Sequence, residues 1–344
     1  MRASRRSLAL GAALAASLTL AACTPGAEPD ASEAADGALT LYAGRDEELI
    51  EPLIEQFTED TGIEVEVRYA STPELNALLL EEGGQTPADV FLSQDAGALG
   101  SLANADLVAP IPADLAEQIP AGFTSEDDSW IGVTGRARVI AYDSEQLDES
   151  EVPDTVDALV EPEWNGEVAF APGNASFQAF ITALRVLEGE DAAAAWVDGI
   201  AANDPELTEN NLASLDLVDS GEAQLGLINH YYWYRQAAEV GADNMRAKLK
   251  FLPGDPGGIV NVTGAAILKG ADGDPDALAF VEYLVSEAAQ QYFVEETFEY
   301  PLLPGIEAPE GLPALETLVN PELDLSDLES LEESQQLLAD AGLI

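Results

Sequence analysis

Short apolar segments alternate with amphipathic segments along this chain, and that alternation limits the fold more than any other feature of the sequence. Leu39 to Tyr42 and Ile63 to Tyr69 have the composition of strands. Between them, Asp46 to Asp60 places five apolar residues on one helical face: Leu49, Ile50, Leu53, Ile54 and Phe57. Strands joined by single helices form βαβ units, so we predict an α/β fold with a mainly parallel sheet covered by helices.

A second series of the same kind follows Pro153. Val168 to Phe170 and Leu225 to Ile228 are predicted strands, and Ser176 to Leu187 is a predicted helix. The chain has 344 residues, which exceeds what one hydrophobic core usually serves. We therefore predict two lobes with a ligand cleft between them.

Further elements are predicted between and after these two series. In chain order they are a helix with Leu75, Leu78 and Leu79, strands at Val90 to Leu92, Ile131 to Val133 and Arg138 to Tyr142, an extended run from Ile259 to Leu268, and helices at Pro275 to Ser286 and Ala288 to Glu295. We expect two strand crossings between the lobes, near Arg136 to Ile140 and near Ile259 to Thr263. Two crossings at one junction are what a hinge requires.

The first 22 residues resemble an export signal. Three arginines precede an apolar run from Leu8 to Leu20, which is too short for a membrane helix because such a helix needs about 20 apolar residues. Ser4-Arg5-Arg6-Ser7-Leu8 also resembles a twin-arginine signal, so general secretion and twin-arginine export both stay open.

Leu20-Ala21-Ala22-Cys23 resembles the lipobox of bacterial lipoproteins, in which the cysteine becomes the lipidated first residue. Cys23 is the only cysteine of the chain and has no disulfide partner, although an incidental cysteine is the alternative. We predict a signal peptide at 1–22, a flexible tether at 23–37, and anchoring on the outer face of the cytoplasmic membrane.

The charge of the chain is strongly negative, with 65 acidic residues against 13 basic ones and a formal net charge of −52. Nucleic acid is excluded as a partner, because phosphates are bound by clustered Lys and Arg. A solvated surface suited to high salt accounts for the acidity, and the attraction of cations to such a surface is compatible with that explanation.

An aromatic run, Asn229-His230-Tyr231-Tyr232-Trp233-Tyr234-Arg235, follows a predicted strand and precedes a predicted helix. At a strand-to-helix turn two adjacent tyrosines can reach one cleft. Iron(III) is a hard cation that prefers anionic oxygen, and a bound cation lowers the pKa of its ligands, so phenolates can bind it near neutral pH. Core packing is the alternative reading of an aromatic cluster.

Five stretches of the sequence resemble the ferric-ion-binding proteins of bacterial iron importers. They are Leu41 to Arg45, Pro87 to Phe91, Gly135 to Tyr142, Glu209 to Asn211, and Asn229 to Tyr232. The resemblance runs in order from about Leu39 to Pro301. It implies a two-lobed periplasmic-binding-protein-like fold of type 2, iron(III) as the transported ligand, and an ABC permease with its ATPase as partners.

The same resemblance implies the ligands of the metal. These are Tyr231 and Tyr232, a third tyrosine at Tyr142, and Asp46 as an extra ligand. A synergistic anion, carbonate or phosphate, fills the remaining coordination positions, held by Arg45, Arg136, Arg138, Asn174, Ser176, Asn211 and Asn229.

The chain departs from the family at two positions. Some members have a histidine near the position of Asp46 and a glutamate near Ser93-Gln94, and these differences favour a site of tyrosines plus carbonate. If both phenolates bind the metal, His230 is oriented away from it.

The predicted divisions of the mature chain are 38–137 and 262–312 for lobe 1, 138–261 for lobe 2, and 313–344 for C-terminal helices packing on lobe 2. We expect a monomer. We also expect no catalysis, because the chain lacks a Cys nucleophile with a base and a His-Glu-x-x-His motif, although an enzyme that uses paired carboxylates as acid and base is an alternative. Two other classes stay open: the same fold binding a polyamine, a quaternary amine or another small solute through an aromatic box, and an adhesive lipoprotein without a closing cleft.

Overall fold

The computed structural model describes residues 37–318 and 323–344. The predicted signal peptide, Cys23 and nearly all of the predicted tether lie outside the described residues. Within them, no helix combines the length and the apolar character needed to cross a membrane.

The strands and α-helices of the described chain alternate much as the sequence predicts. The strands are β1 Leu39–Ala43, β2 Val65–Tyr69, β3 Val90–Ser93, β4 Ile131–Asp143, β5 Val168–Phe170, β6 Glu206–Leu207, β7 Leu225–Asn229, β8 Ala247–Phe251, β9 Val260–Ile267 and β10 Tyr300–Pro301. The helices are α1 Glu47–Thr61, α2 Thr72–Glu82, α3 Ala96–Asn104, α4 Ala113–Ala116, α5 Ala175–Glu188, α6 Glu190–Ala202, α7 Asn211–Ser220, α8 His230–Val240, α9 Pro275–Leu284, α10 Glu287–Tyr292 and α11 Leu331–Asp340.

Each lobe is built on a sheet with a parallel part. In the first lobe β1 pairs in parallel with β2 and β3, and β9 runs antiparallel to β3. In the second lobe β5 pairs in parallel with β6 and β7. Strand β4 belongs to both sheets, since it pairs with β9 from Ile131 to Ala137 and with β7 from Arg138 to Tyr142.

The sequence-based division of β4 into two strands is wrong. The structure has one strand of 13 residues, with a β-bulge between Gly132 and Thr134. The predicted break was at Thr134-Gly135, but in the structure Gly135 is a strand residue that pairs with Val262 and Tyr300. A Cβ atom on Gly135 would lie 3.3 Å from the Cβ atom of Tyr300, so this glycine is explained by the close approach of β10 and not by a turn.

The hydrophobic core fixes the helices that lead into the cleft. Helix α1 buries the five predicted apolar residues. In the second lobe Phe177 stacks on Phe170 at 4.5 Å between ring centroids, and Phe180 meets Trp196 edge-on at 5.1 Å. Such aromatic pairs stabilise the contact beyond the area they bury, so the start of α5 is held firmly at the end of β5.

The C-terminal segment contacts both lobes. On α5, Arg185 donates to the carbonyl oxygen of Ser330 at 2.8 Å, and the hydroxyls of Thr182 and Ser334 are 2.8 Å apart. The preceding 3-10 turn, Leu325–Glu329, packs against α3 of the first lobe. The sequence-based prediction placed this segment on lobe 2 alone, so the contact with α3 is additional.

Gly97 on α3 provides a test of this packing. A Cβ atom there would lie 2.5 Å from the carbonyl oxygen of Leu328, which is backbone and cannot rotate away. We expect Gly97→Ala to lower the free energy of unfolding by about 1 to 3 kcal/mol. Urea unfolding measures it. Gly84→Ala is the control, because its Cβ would have no atom within 4 Å, and equal stability of the two variants would contradict the packing.

Candidate functional site

The carboxyl ends of the parallel strands of both sheets line one cavity of about 400 Å³. Its lining residues are Gly44 to Glu47, Tyr69 to Pro73 and Gln94 from the first lobe, and Gly173 to Ala175, Glu209 and Asn210 from the second. Ligands of open α/β sheets bind in the crevice beyond the carboxyl ends of the strands.

Tyr231 and Tyr232 lie in the first turn of α8, directly after β7. Their rings are stacked at 4.3 Å between centroids, and both side chains are buried. The hydroxyl of Tyr231 makes no hydrogen bond of normal geometry within the described part of the chain. A buried polar atom without a partner is costly, which points to a ligand at this position.

Burial raises the pKa of both tyrosines. For Tyr231 the nearby cations Arg45 and Arg136 oppose that increase. The pKa of Tyr232 lies well above its ordinary value of 10, because of burial first and then the neighbouring Tyr231 and Asp46. Both side chains are therefore neutral phenols near pH 7, and a cation that takes them as phenolates must displace two protons.

Arg138 is buried in the second lobe, and its hydrogen-bond partners within 37–318 and 323–344 are neutral groups. It donates to the hydroxyl of Ser176 at 3.1 Å and to the carbonyl oxygen of Leu227 at 3.0 Å, and it lies over the rings of Phe177 and Phe180. Burial lowers its pKa to about 9. A desolvated guanidinium with only neutral acceptors favours an anion beside it.

Three helix N-termini meet around Ser176. Asn174 caps α5 and accepts from the amide and the hydroxyl of Ser176, at 3.1 and 2.7 Å. Asn211, the first residue of α7, donates to the same hydroxyl at 3.5 Å and accepts from the amide of Asn229, the residue before α8, at 3.1 Å. Helix N-termini present free amide groups and a partial positive charge, both of which favour an anion.

Arg45 approaches the tyrosines from the first lobe. Its guanidinium carbon lies 5.6 Å from the ring centroid of Tyr231, and it forms a buried ion pair with Glu299, which also accepts from the hydroxyl of Thr134. Burial alone would lower the pKa of Arg45, but Glu299 and the two tyrosines raise it above its ordinary value.

Arg136 is the third buried arginine of the site, and it interacts electrostatically with Arg45 and Tyr231. It donates from Nη2 to the carbonyl oxygen of Val262 at 3.1 Å, and burial lowers its pKa first, with a contribution from Arg45. In the described residues, Nε of all three site arginines, and Nη1 of Arg45 and Arg136, are buried without an acceptor. The site therefore carries more buried donors than the protein itself satisfies.

Side chains of the usual metal-ligand type do not gather elsewhere in the described chain. Across 37–318 and 323–344, no group of three or more His, Cys, Asp or Glu could hold a metal ion.

The sequence profile of the bacterial extracellular solute-binding proteins matches residues 85–320. The chain belongs to this family. The structure is similar to the crystal structure of iron-bound HitA from Pseudomonas aeruginosa, with a TM-score of 0.83, 32% identity, and coverage of 89% of this chain and 99% of that one. The predicted two-lobed fold is confirmed.

Several curated relatives of this solute-binding protein have names that refer to iron binding. The major ferric iron-binding protein of Neisseria meningitidis serogroup B is 32% identical over 311 residues, which are 89% of this chain and 93% of the relative. The Fe(3+)-binding periplasmic protein of Serratia marcescens is 31% identical over 312 residues, 90% of this chain and 92% of the relative. These relatives confirm that the sequence resembles the ferric-ion-binding proteins of bacteria.

The structure of the solute-binding protein places the predicted site residues in two groups. Arg45 and Arg136 lie near Tyr231 and Tyr232, whereas Arg138 belongs to the network around Ser176. The cavity itself is lined by Arg45, Asp46 and Asn174 of the predicted set. Asp46 is exposed at the cavity wall, and its carboxylate, which makes no capping bond to α1, raises the pKa of both tyrosines.

Tyr142 is placed apart from this group. It lies four residues beyond Arg138 on β4, about 13 Å along the strand. Its pKa is raised by burial and then by Glu149 and Asp148, and neither of these carboxylates belongs to the cleft. The resemblance alone suggested Tyr142, and the direction of β4 beyond Arg138 explains why it lies elsewhere.

Sequence reasoning missed three buried polar residues of the solute-binding protein: Glu299, Thr134 and Asp95. Glu299 and Thr134 hold Arg45, whereas Asp95 caps α3 and has a pKa raised by burial to about 6. Glu299 is 254 residues from Arg45, so no local spacing joins them. The one local hint was an acidic residue inside the apolar run Phe298 to Leu303.

The four aromatic residues at 231–234 do not form a box. Trp233 donates to the carbonyl oxygen of Ala247 at 2.7 Å, and Tyr234 donates to that of Gly311 at 3.1 Å. Their polar atoms are thus used on other parts of the chain, and the stacked pair of Tyr231 and Tyr232 stands alone beside Arg45.

His230 is held in one neutral tautomer. Its Nδ1 accepts from the amide of Ala137 at 3.1 Å, so the proton is on Nε2, which lies 3.0 Å from the carbonyl oxygen of Phe298. Burial lowers its pKa to about 4. The imidazole uses both nitrogens on backbone groups, which fits a residue that does not ligate.

The lowered pKa of His230 predicts a pH effect on stability. Between pH 6.5 and 4 the unfolded chain takes up a proton that the folded protein refuses, so the free energy of unfolding falls as the pH falls. From pH 7 to pH 4.5 we expect the wild type to lose about 2 to 3 kcal/mol more than His230→Gln. Urea unfolding at the two pH values measures it, and parallel losses would contradict a buried neutral imidazole.

Proposed function

We propose that this protein captures iron(III) in the cleft between its lobes, with Tyr231 and Tyr232 as phenolate ligands. The buried, unpartnered hydroxyl of Tyr231 beside the stacked Tyr232 and the guanidinium of Arg45 carries the proposal. A trivalent cation stabilises two phenolates, and cations nearby assist their deprotonation. The ferric-iron names of the relatives support the same ligand.

We infer that an anion accompanies the metal. The buried donors of Arg45, Arg136 and Arg138, together with the amide groups at the starts of α5 and α8, offer more positive potential than two phenolates balance. Carbonate or phosphate has the size and charge for this position. Asp46 would complete the coordination from the mouth of the cleft.

The remaining functional assignments are also proposals. The protein catalyses no reaction and delivers its ion to an ABC permease with its ATPase, as a monomer anchored through Cys23 outside the cytoplasm. The lobe boundaries at 137/138 and 261/262 stay predictions, and so does a role for Tyr142 in binding.

An absorption titration tests the proposal. The protein from residue 37 onward, stripped of metal, is titrated with ferric citrate in bicarbonate, and bound iron is counted by elemental analysis. We expect a visible phenolate-to-iron band that saturates near one equivalent. Absence of the band and of retained iron would overturn the proposal, and calorimetry with spermidine and betaine would then test organic cations.

A further inference from the structure

The corner at Thr297 to Tyr300 touches the site from both lobes. It follows a π-helical turn, Phe293–Thr297, and Phe298 has a positive φ of 58°, a conformation that is rare for a bulky aromatic residue. Backbone strain of this kind persists only when surrounding contacts hold it, and it is concentrated at functional sites. The contacts that follow are made by Phe298 itself and by Glu299, the next residue.

Glu299 points inward from this corner and is completely buried. It pairs with Nη2 of Arg45 and accepts from the hydroxyl of Thr134 on β4. Only Nη2 is engaged by this carboxylate, and Nε and Nη1 of Arg45 have no acceptor in the described residues. The carboxylate thereby fixes the guanidinium in one orientation next to Tyr231.

Phe298 contacts the other side of the site. Its carbonyl oxygen accepts from Nε2 of His230 at 3.0 Å, and His230 immediately precedes Tyr231. The Phe298 ring also stacks on Tyr234 of α8 at 6.3 Å between centroids. Glu299 therefore holds the arginine of the first lobe, and the preceding residue, Phe298, holds the helix of the second lobe that carries the tyrosines.

We propose that Glu299 is a positioning residue of the ferric site, which holds Arg45 against the phenolates and so strengthens iron binding without touching the ion. The inference rests on the proposed function. A free guanidinium would sample several rotamers and lose conformational entropy when iron and its anion bind, whereas the paired guanidinium is already ordered. Groups that orient the ligands of a metal typically change its affinity by about 10- to 100-fold when removed.

A double-mutant cycle in iron affinity tests this role. Glu299→Gln keeps the shape and removes the charge, and Arg45→Met removes the group on which Glu299 acts. We expect Glu299→Gln alone to weaken iron binding about 10- to 100-fold and to shift the phenolate-to-iron band. In the Arg45→Met background the same change should alter affinity less than about twofold, because residues that act through one contact are not additive.

The matched control is Glu295→Gln, which removes an exposed carboxylate from the same turn and should bind iron as the wild type does. If Glu299→Gln alone does not fold, Thr134→Val takes its place, because it removes the hydroxyl that donates to Glu299 and leaves the buried ion pair charged. It should weaken iron binding in the wild-type background and not in the Arg45→Met background, and wild-type affinity in Thr134→Val alone overturns the inference. Equal losses from Glu299→Gln in both backgrounds, or wild-type affinity and band in the single variant, overturn the inference. A wild type without an iron band overturns the proposed function instead.

Discussion

Tyr231→Phe and Tyr232→Phe are each expected to weaken iron binding by more than about 100-fold, because each removes an anionic oxygen from the metal itself and not merely a group that orients one. The fold should survive. The hydroxyl of Tyr231 makes no hydrogen bond of normal geometry in the described chain, and the side chain it interacts with is that of Tyr232, so its removal disturbs no contact outside the pair. Competition of ferric citrate against each variant, followed by the visible band, measures the loss.

Tyr234→Phe is the control for these variants. It lies on the same helix, and its hydroxyl donates to Gly311 and not into the cleft. We expect it to keep the band and the affinity of the wild type. Wild-type affinity in both Tyr231→Phe and Tyr232→Phe would mean that the metal site is not at this pair.

Iron binding is expected to release two protons and to tighten steeply with pH. Burial raises the pKa of Tyr231 and Tyr232 above the ordinary tyrosine value, so both are protonated in the unloaded protein at neutral pH. A ligand that must lose its proton gains affinity about tenfold per pH unit below its pKa, so two of them give about 100-fold per unit. The affinity for iron therefore falls as the pH falls.

Proton release is counted by pH-stat titration with ferric citrate, against the same addition made to buffer without protein. Tyr231→Phe and Tyr232→Phe loaded at high iron concentration should each release one proton fewer than the wild type. Release that is unchanged in these variants would show that the protons come from other groups.

The alternation of strands and helices was predictable because it depends on local periodicity. The face of α1 and the parallel order of β1 to β3 follow from that pattern alone. The continuity of strand β4 was not predictable, because Thr134-Gly135 reads as a break in the sequence, whereas in the fold Gly135 pairs with Tyr300 of β10. Packing between distant segments decided that case.

The residues of the candidate site also divide into those that local sequence motifs indicate and those that depend on contacts between distant segments. The tyrosine pair and the residues around Ser176 are short motifs at strand-to-helix turns, so the sequence indicates them directly. Glu299 meets Arg45 only because β10 pairs with β4 after a strained corner, and no pattern in the sequence records that contact. Tyr142 is the opposite case: the resemblance suggested it as a ligand, the structure places it about 13 Å along β4 from Arg138, and its role in binding stays a prediction.

The continuous course of β4 has a mechanical consequence. Arg136 and Arg138 lie two residues apart on this strand, on either side of the point where its pairing passes from β9 to β7. We expect a rotation of one lobe about that point to move both guanidinium groups and to separate the donors that would face the proposed anion. Under the proposed function, opening of the cleft and release of iron are then the same movement, so a substitution that stiffens this strand should slow the release of iron although it leaves every proposed ligand in place.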